Sequence, residues 1–88
     1  MVIGSNVYTL KGKKAAMGYT VIRSTLLDIS DYFETLVVLC ENKSDTISPY
    51  VCWIAKIDKE TDQVSYESGV YSSDIESGFG WYEKRGGR

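Results

Sequence analysis

The chain contains no histidine. That absence removes the side chain most used as a general base at neutral pH and the commonest metal ligand. Its two cysteines, Cys40 and Cys52, are too few for a disulfide scaffold and lack the C-x-x-C spacing of a zinc or redox motif. Both lie in apolar, strand-like runs with no adjacent cation to lower the thiol pKa, so they are expected to be inert core thiols. Proline occurs once, at Pro49, and no apolar run approaches the roughly eighteen residues of a membrane helix. The longest such run, LVVLC at residues 36–40, has the length of a strand. The opening MVIGSNVYTLKGKK places its lysines after the apolar residues, the reverse of a secretory leader, so a cytoplasmic location is expected.

Several chemical motifs are missing as well. GxxxxGK[ST] is absent, and Lys11, Lys13 and Lys14 do not belong to a phosphate loop. The acids of DKETDQVSYE have no central glycine and read as a solvated hairpin turn, not a calcium loop. Glu67 could be paired with Asp74 or Asp62 for acid and base work, yet their spacing predicts no proximity. No catalytic, cofactor-binding or metal-ligating set emerges, and a non-enzymatic protein without a cofactor is expected.

What is present is a folded composition: 43% hydrophobic and 25% charged residues in 88 positions, enough for one small domain. Net charge is -2, but its distribution is uneven. Residues 24–83 hold all twelve acids against Lys43, Lys56 and Lys59, a balance of -9, while Lys11, Lys13, Lys14 and Arg23 at one end and Lys84, Arg85 and Arg88 at the other are unopposed.

Patterning predicts an α+β fold. β-Branched and alternating residues mark strands in GYTVIRSTLL, YFETLVVLCEN, YVCWIAKI and VSYESGVY, and the short connections between them favour an antiparallel meander over residues 18–71. In the first of these, Val21, Thr25 and Leu27 share one parity. In the last, Val64, Tyr66 and Val70 do. Both parities of residues 36–40 are apolar, as in a central strand covered on two faces or one that meets a second copy, and a homodimer is an expectation on that ground. Residues 2–10 offer a fifth, edge strand, and residues 1–18 as a whole read as irregular or flexible.

A C-terminal helix over residues 74–85 is expected to cover one sheet face. Ser73 and Glu76 form an S-x-x-E capping box, Ile75, Phe79 and Tyr82 recur at helical spacing, Lys84 and Arg85 suit the last turn, and Gly86 and Gly87 end it. Gly78 and Gly80 oppose the helix, each by up to about 1 kcal/mol, and Gly78 is expected to permit a close approach to the sheet.

Tyr50, Trp53, Tyr66, Tyr71, Trp81 and Tyr82 exceed what a small core readily absorbs, so some should be exposed. Exposed aromatics among acids suit a protein partner. The function expected is therefore a protein-interaction module, in the manner of a small regulator or inhibitor, whose acidic, aromatic-bearing surface binds a basic macromolecular partner through Trp53, Glu60, Asp62, Glu67 and Trp81. The alternative is nucleic-acid binding by Lys11, Lys13, Lys14, Lys84, Arg85 and Arg88, should the two basic ends converge on one stripe.

Overall fold

The computed structural model describes Leu10 and residues 12–88. Four strands, β1 (Thr20–Ile29), β2 (Phe33–Glu41), β3 (Tyr50–Asp58) and β4 (Val64–Ser72), form one antiparallel sheet in the order β1-β2-β3-β4 and lead into helix α1 (Ile75–Lys84). The meander and its helical cover are as the patterning predicts. The fifth strand expected over residues 2–10 lies, but for Leu10, outside the described residues.

The two apolar parities of β2 are both used inside this chain. Val37 and Leu39 pack with Cys52 of β3 and Tyr82 of α1, while Leu36, Val38 and Cys40 join Val51, Trp53, Ala55 and Ile57 on the opposite face. There the segment before β1 contributes Leu10, Ala15, Ala16 and Tyr19. Tyr19 is anchored by its hydroxyl, which donates to the Ser48 carbonyl at 2.6 Å. The apolar reason for self-association is thus met within one chain.

Bulges alter the parity expected of the outer strands. The register shifts between Val21 and Arg23, so Val21 and Leu26 share the face opposite the helix while Ile22 packs beneath α1. β1 shifts again between Leu26 and Asp28, and a third shift, in β4 where Ser68 adopts a left-handed φ of 57°, pairs Val70 with Cys52 and leaves Val64 and Tyr66 on the other face. These bulges also blunt the sheet's edges. Along β1 the edge is further occupied by the preceding segment, through Gly12 N–H to Val21 O at 2.7 Å and Val21 N–H to Lys13 O at 2.9 Å.

Helix α1 begins one residue later than the capping box implies. Ser72 still pairs with Tyr50, Ser73 serves as the link, and Asp74 is the cap, its Oδ1 accepting from Ser77 N–H at 2.8 Å. Ile75, Phe79 and Tyr82 face the sheet as their spacing predicts, and the Tyr82 hydroxyl is hydrogen-bonded to Thr25 Oγ1. Gly78 rests on Leu39 and Tyr50: a Cβ there would lie 3.1 Å from Leu39 Cδ1. The helix ends in a Schellman turn, with Gly86 at φ 102°, Gly86 N–H donating to Glu83 O and Gly87 N–H to Tyr82 O.

Candidate functional site

The turns at one end of the sheet are built to meet each other. Between β1 and β2, Ser30 N–H donates to Phe33 O at 2.8 Å and Phe33 N–H returns to Ser30 Oγ at 3.1 Å. Between β3 and β4, Asp58 Oδ1 accepts from the amides of Glu60 and Thr61 at 2.8 and 3.2 Å, and Asp62 closes the turn in the left-handed region at φ 61°, where aspartate is tolerated. Lys59 staples the two turns. Its amide donates to Tyr32 O at 2.9 Å and its ammonium to Ser30 O at 3.1 Å.

This junction encloses a hollow lined by Asp31, Tyr32, Phe33, Asp58, Lys59 and Glu60. Tyr32 is 74% exposed and Phe33 41%, although both are large apolar rings. Three acidic residues and one lysine line the hollow, and the lysine ammonium donates to a carbonyl. Among the described residues the only ion pair is Lys56 with Glu67 at 3.6 Å, so Asp31, Asp58 and Glu60 carry uncompensated charge beside exposed aromatic surface.

The residues expected to bind a partner are dispersed. Trp53 is only 5% exposed and belongs to the core, edge-on to Tyr19 at 5.5 Å and Tyr71 at 6.2 Å. Gly69 makes room for it, since a Cβ at that position would fall 2.5 Å from Trp53 Nε1. As a surface anchor Trp53 is therefore excluded: its register on β3 turns it toward the face that the Tyr19 segment covers. Glu67 is on β4, paired with Lys56. Trp81, 40% exposed, stands on α1 with the Lys84 ammonium 5.1 Å above its ring. Only Glu60 and Asp62 share one turn, and Glu60 lines the hollow.

The described basic residues of the alternative stand on two segments, one before β1 and one at the end of α1. Lys11 lies outside the described residues, and Lys13 and Lys14 are exposed on the segment along the β1 edge. Arg85 is committed to the fold: its Nη1 donates to Ser68 O at 2.6 Å and to Cys52 O at 3.3 Å, filling the β4 bulge. Lys84 sits over Trp81, and the Arg88 amide donates to Thr25 Oγ1 at 3.0 Å.

Sequence reasoning passed over Asp31, Tyr32, Phe33 and Asp58. The stretch around Asp31 reads as punctuation and Tyr32-Phe33 as the start of a strand. Two adjacent rings at a turn between acids was the signal available. Cys40 and Cys52 are buried, in separate apolar clusters on opposite faces, as their apolar runs predict, but the Arg85 guanidinium stands beside Cys52, where the sequence gives no neighbouring cation. Burial pushes the Cys40 thiol up to about 12. Burial raises Cys52 too, against the lowering pull of the Arg85 guanidinium. Among the described residues no group of acids and cysteines could hold a metal ion, and no helix is long and apolar enough to cross a membrane.

Comparison of the chain with protein-family models, with curated proteins and with solved structures found no match in any of the three.

Proposed function

We propose that the protein is a non-enzymatic interaction module that receives a basic segment of a macromolecular partner, with the hollow between the two turns as its contact surface. One observation carries the reading: exposed Tyr32 and Phe33 flank a concavity whose three carboxylates have no ion pair among the described residues. Exposed rings supply desolvatable area, and unpaired acids supply steering and discrimination against acidic partners. The competing explanation is solubility, for which acids suffice but aromatic exposure is a cost. The two exposed rings therefore support the binding reading.

The test uses a fluorescent peptide of mixed lysine and arginine bearing six positive charges, titrated with the protein at low salt and followed by anisotropy. A variant combining Tyr32→Ala, Asp31→Asn and Glu60→Gln should weaken binding by about tenfold or more, while Glu67→Gln should leave it nearly unchanged. Equal binding by the parent and the triple variant would eliminate this surface, and no binding by the parent would eliminate the reading. Labelled single- and double-stranded DNA and RNA serve as the second arm. Salt-dependent binding to these that is lost when Lys13, Lys14, Lys84 and Arg88 are neutralised would favour the nucleic-acid alternative instead.

A further inference from the structure

Resting on that reading of the hollow, we infer that it selects arginine over lysine, taking one guanidinium of an extended basic segment in a protein partner. Two features of the site distinguish between the cations. The first is its two exposed rings. Tyr32 and Phe33 both border the hollow together with the acids, so a planar ligand stacked on either ring would lie in the same concavity as the carboxylates. Guanidinium is planar, weakly hydrated and able to stack on an aromatic ring while its edge donates hydrogen bonds; an ammonium is a compact, strongly hydrated point charge.

The second feature is the division of labour among the carboxylates. Asp58 Oδ1 already holds the Glu60 and Thr61 amides, whereas no hydrogen bond from the described residues engages the carboxylates of Asp31 and Glu60. They stand on different turns, one to each side of the hollow, and the Lys59 staple fixes those turns relative to one another. A ligand satisfying both must donate in two directions from one rigid group, which the guanidinium fork does. Lys59 provides an internal comparison. A lysine ammonium already borders the hollow, and it donates to the Ser30 carbonyl and makes no ion pair with the acids.

The occupant is thus identified by charge and by shape: charge excludes acidic segments, and the combination of rings with separated carboxylates favours the planar cation. Because both turns are already braced by backbone hydrogen bonds, binding orders the ligand and little of the protein.

Three fluorescent peptides of equal length and net charge would test this, one with arginine as its only cation, one with lysine, and one with asymmetrically dimethylated arginine, which keeps its charge and loses donors. Anisotropy titrations should show the arginine peptide binding about tenfold more tightly than the other two. In Tyr32→Ala and in Glu60→Gln that advantage should shrink to under about threefold, and in Tyr32→Phe it should persist. Tyr32 and Glu60 are solvent-exposed, so these variants should melt within a few degrees of the parent and report on binding. If the arginine and lysine peptides bind equally and both weaken in Tyr32→Ala, the selectivity is overturned and the interaction module stands. If no peptide binds, both fall.

Discussion

Helix α1 carries two glycines two residues apart, and the structure assigns them opposite consequences. Gly80 points away from the sheet, and a Cβ built there meets no atom within 4 Å. Gly80→Ala therefore recovers helix propensity with nothing set against it, a gain of about 0.8 to 1 kcal/mol. For a domain of this size that corresponds to a rise in Tm of roughly 4 to 8 °C. Gly78→Ala offers the same propensity, but its Cβ would stand 3.1 Å from Leu39 Cδ1 and 3.4 Å from Tyr50 Cβ. Leu39 is wholly buried and cannot withdraw into solvent, so helix or leucine must shift, and overpacking of this kind costs about 1 to 3 kcal/mol. The net change should lie between zero and about -2 kcal/mol. Thermal melts by far-ultraviolet circular dichroism, with urea titrations to confirm that the m-value is unchanged, would measure both. Equal stabilisation by the two substitutions would refute the close approach of α1 at Gly78. Loss of stability in Gly80→Ala would show that the outer helix face is not free.

Other perturbations follow from individual contacts. Arg85→Met should destabilise by about 1 to 2 kcal/mol, because two charge-assisted hydrogen bonds disappear, the one to Cys52 O partly buried and the one to Ser68 O exposed; urea midpoints would show it, with Arg85→Lys in between. Glu34 is 5% exposed and its Oε2 is buried without a hydrogen-bond partner among the described residues, so Glu34→Met should raise the urea midpoint, by about 1 kcal/mol in stability. Native protein should not react with a thiol-specific disulfide reagent at pH 8 over minutes, whereas both thiols should react in guanidinium, because burial holds Cys40 at about 12 and also raises Cys52. The same shifts set the alkaline limit: the folded state retains protons that the unfolded thiols release, so this contribution is whole below the ordinary thiol pKa and declines as pH rises toward about 12. Burial of Tyr19 and Tyr66 acts in the same direction, and a pH series of chemical melts from 7 to 11 should fall monotonically above the ordinary thiol range.

The sheet and helix were legible because their signals are local and periodic. Ile75, Phe79 and Tyr82 needed only helical spacing, and the doubled apolar parity of β2 needed only a central position in the sheet. The cap was misplaced by one residue because β4 runs through Ser72, an extent fixed by pairing with Tyr50 on another strand. Bulges were not legible. They moved Val70 away from the face of Val64 and Tyr66, and the carbonyl of Ser68 that one of them exposes is what recruits Arg85. Sequence places Arg85 in the last turn of the helix, but not on a bulge carbonyl of another element. Trp53 was misassigned for a related reason, since the segment ending in Tyr19 covers its face through contacts distant in sequence.

These same long-range contacts bear on where a partner could be received. One sheet face lies under α1 and the other under the segment that includes Leu10, Ala15, Ala16 and Tyr19. The β1 edge is partly paired and twice bulged, and the β4 edge is bulged at Ser68 with Arg85 bound to it, so strand addition along either edge would have to displace existing interactions. The junction of the two turns differs in each respect. Its backbone is braced, its rings are uncovered, and its carboxylates lack counter-ions among the described residues. Burying Tyr32 and Phe33 inward would have aided stability, and pairing the acids with Lys59 would have lowered local repulsion. The chain does neither, and a guanidinium-bearing partner would cover the rings and neutralise the acids in one step.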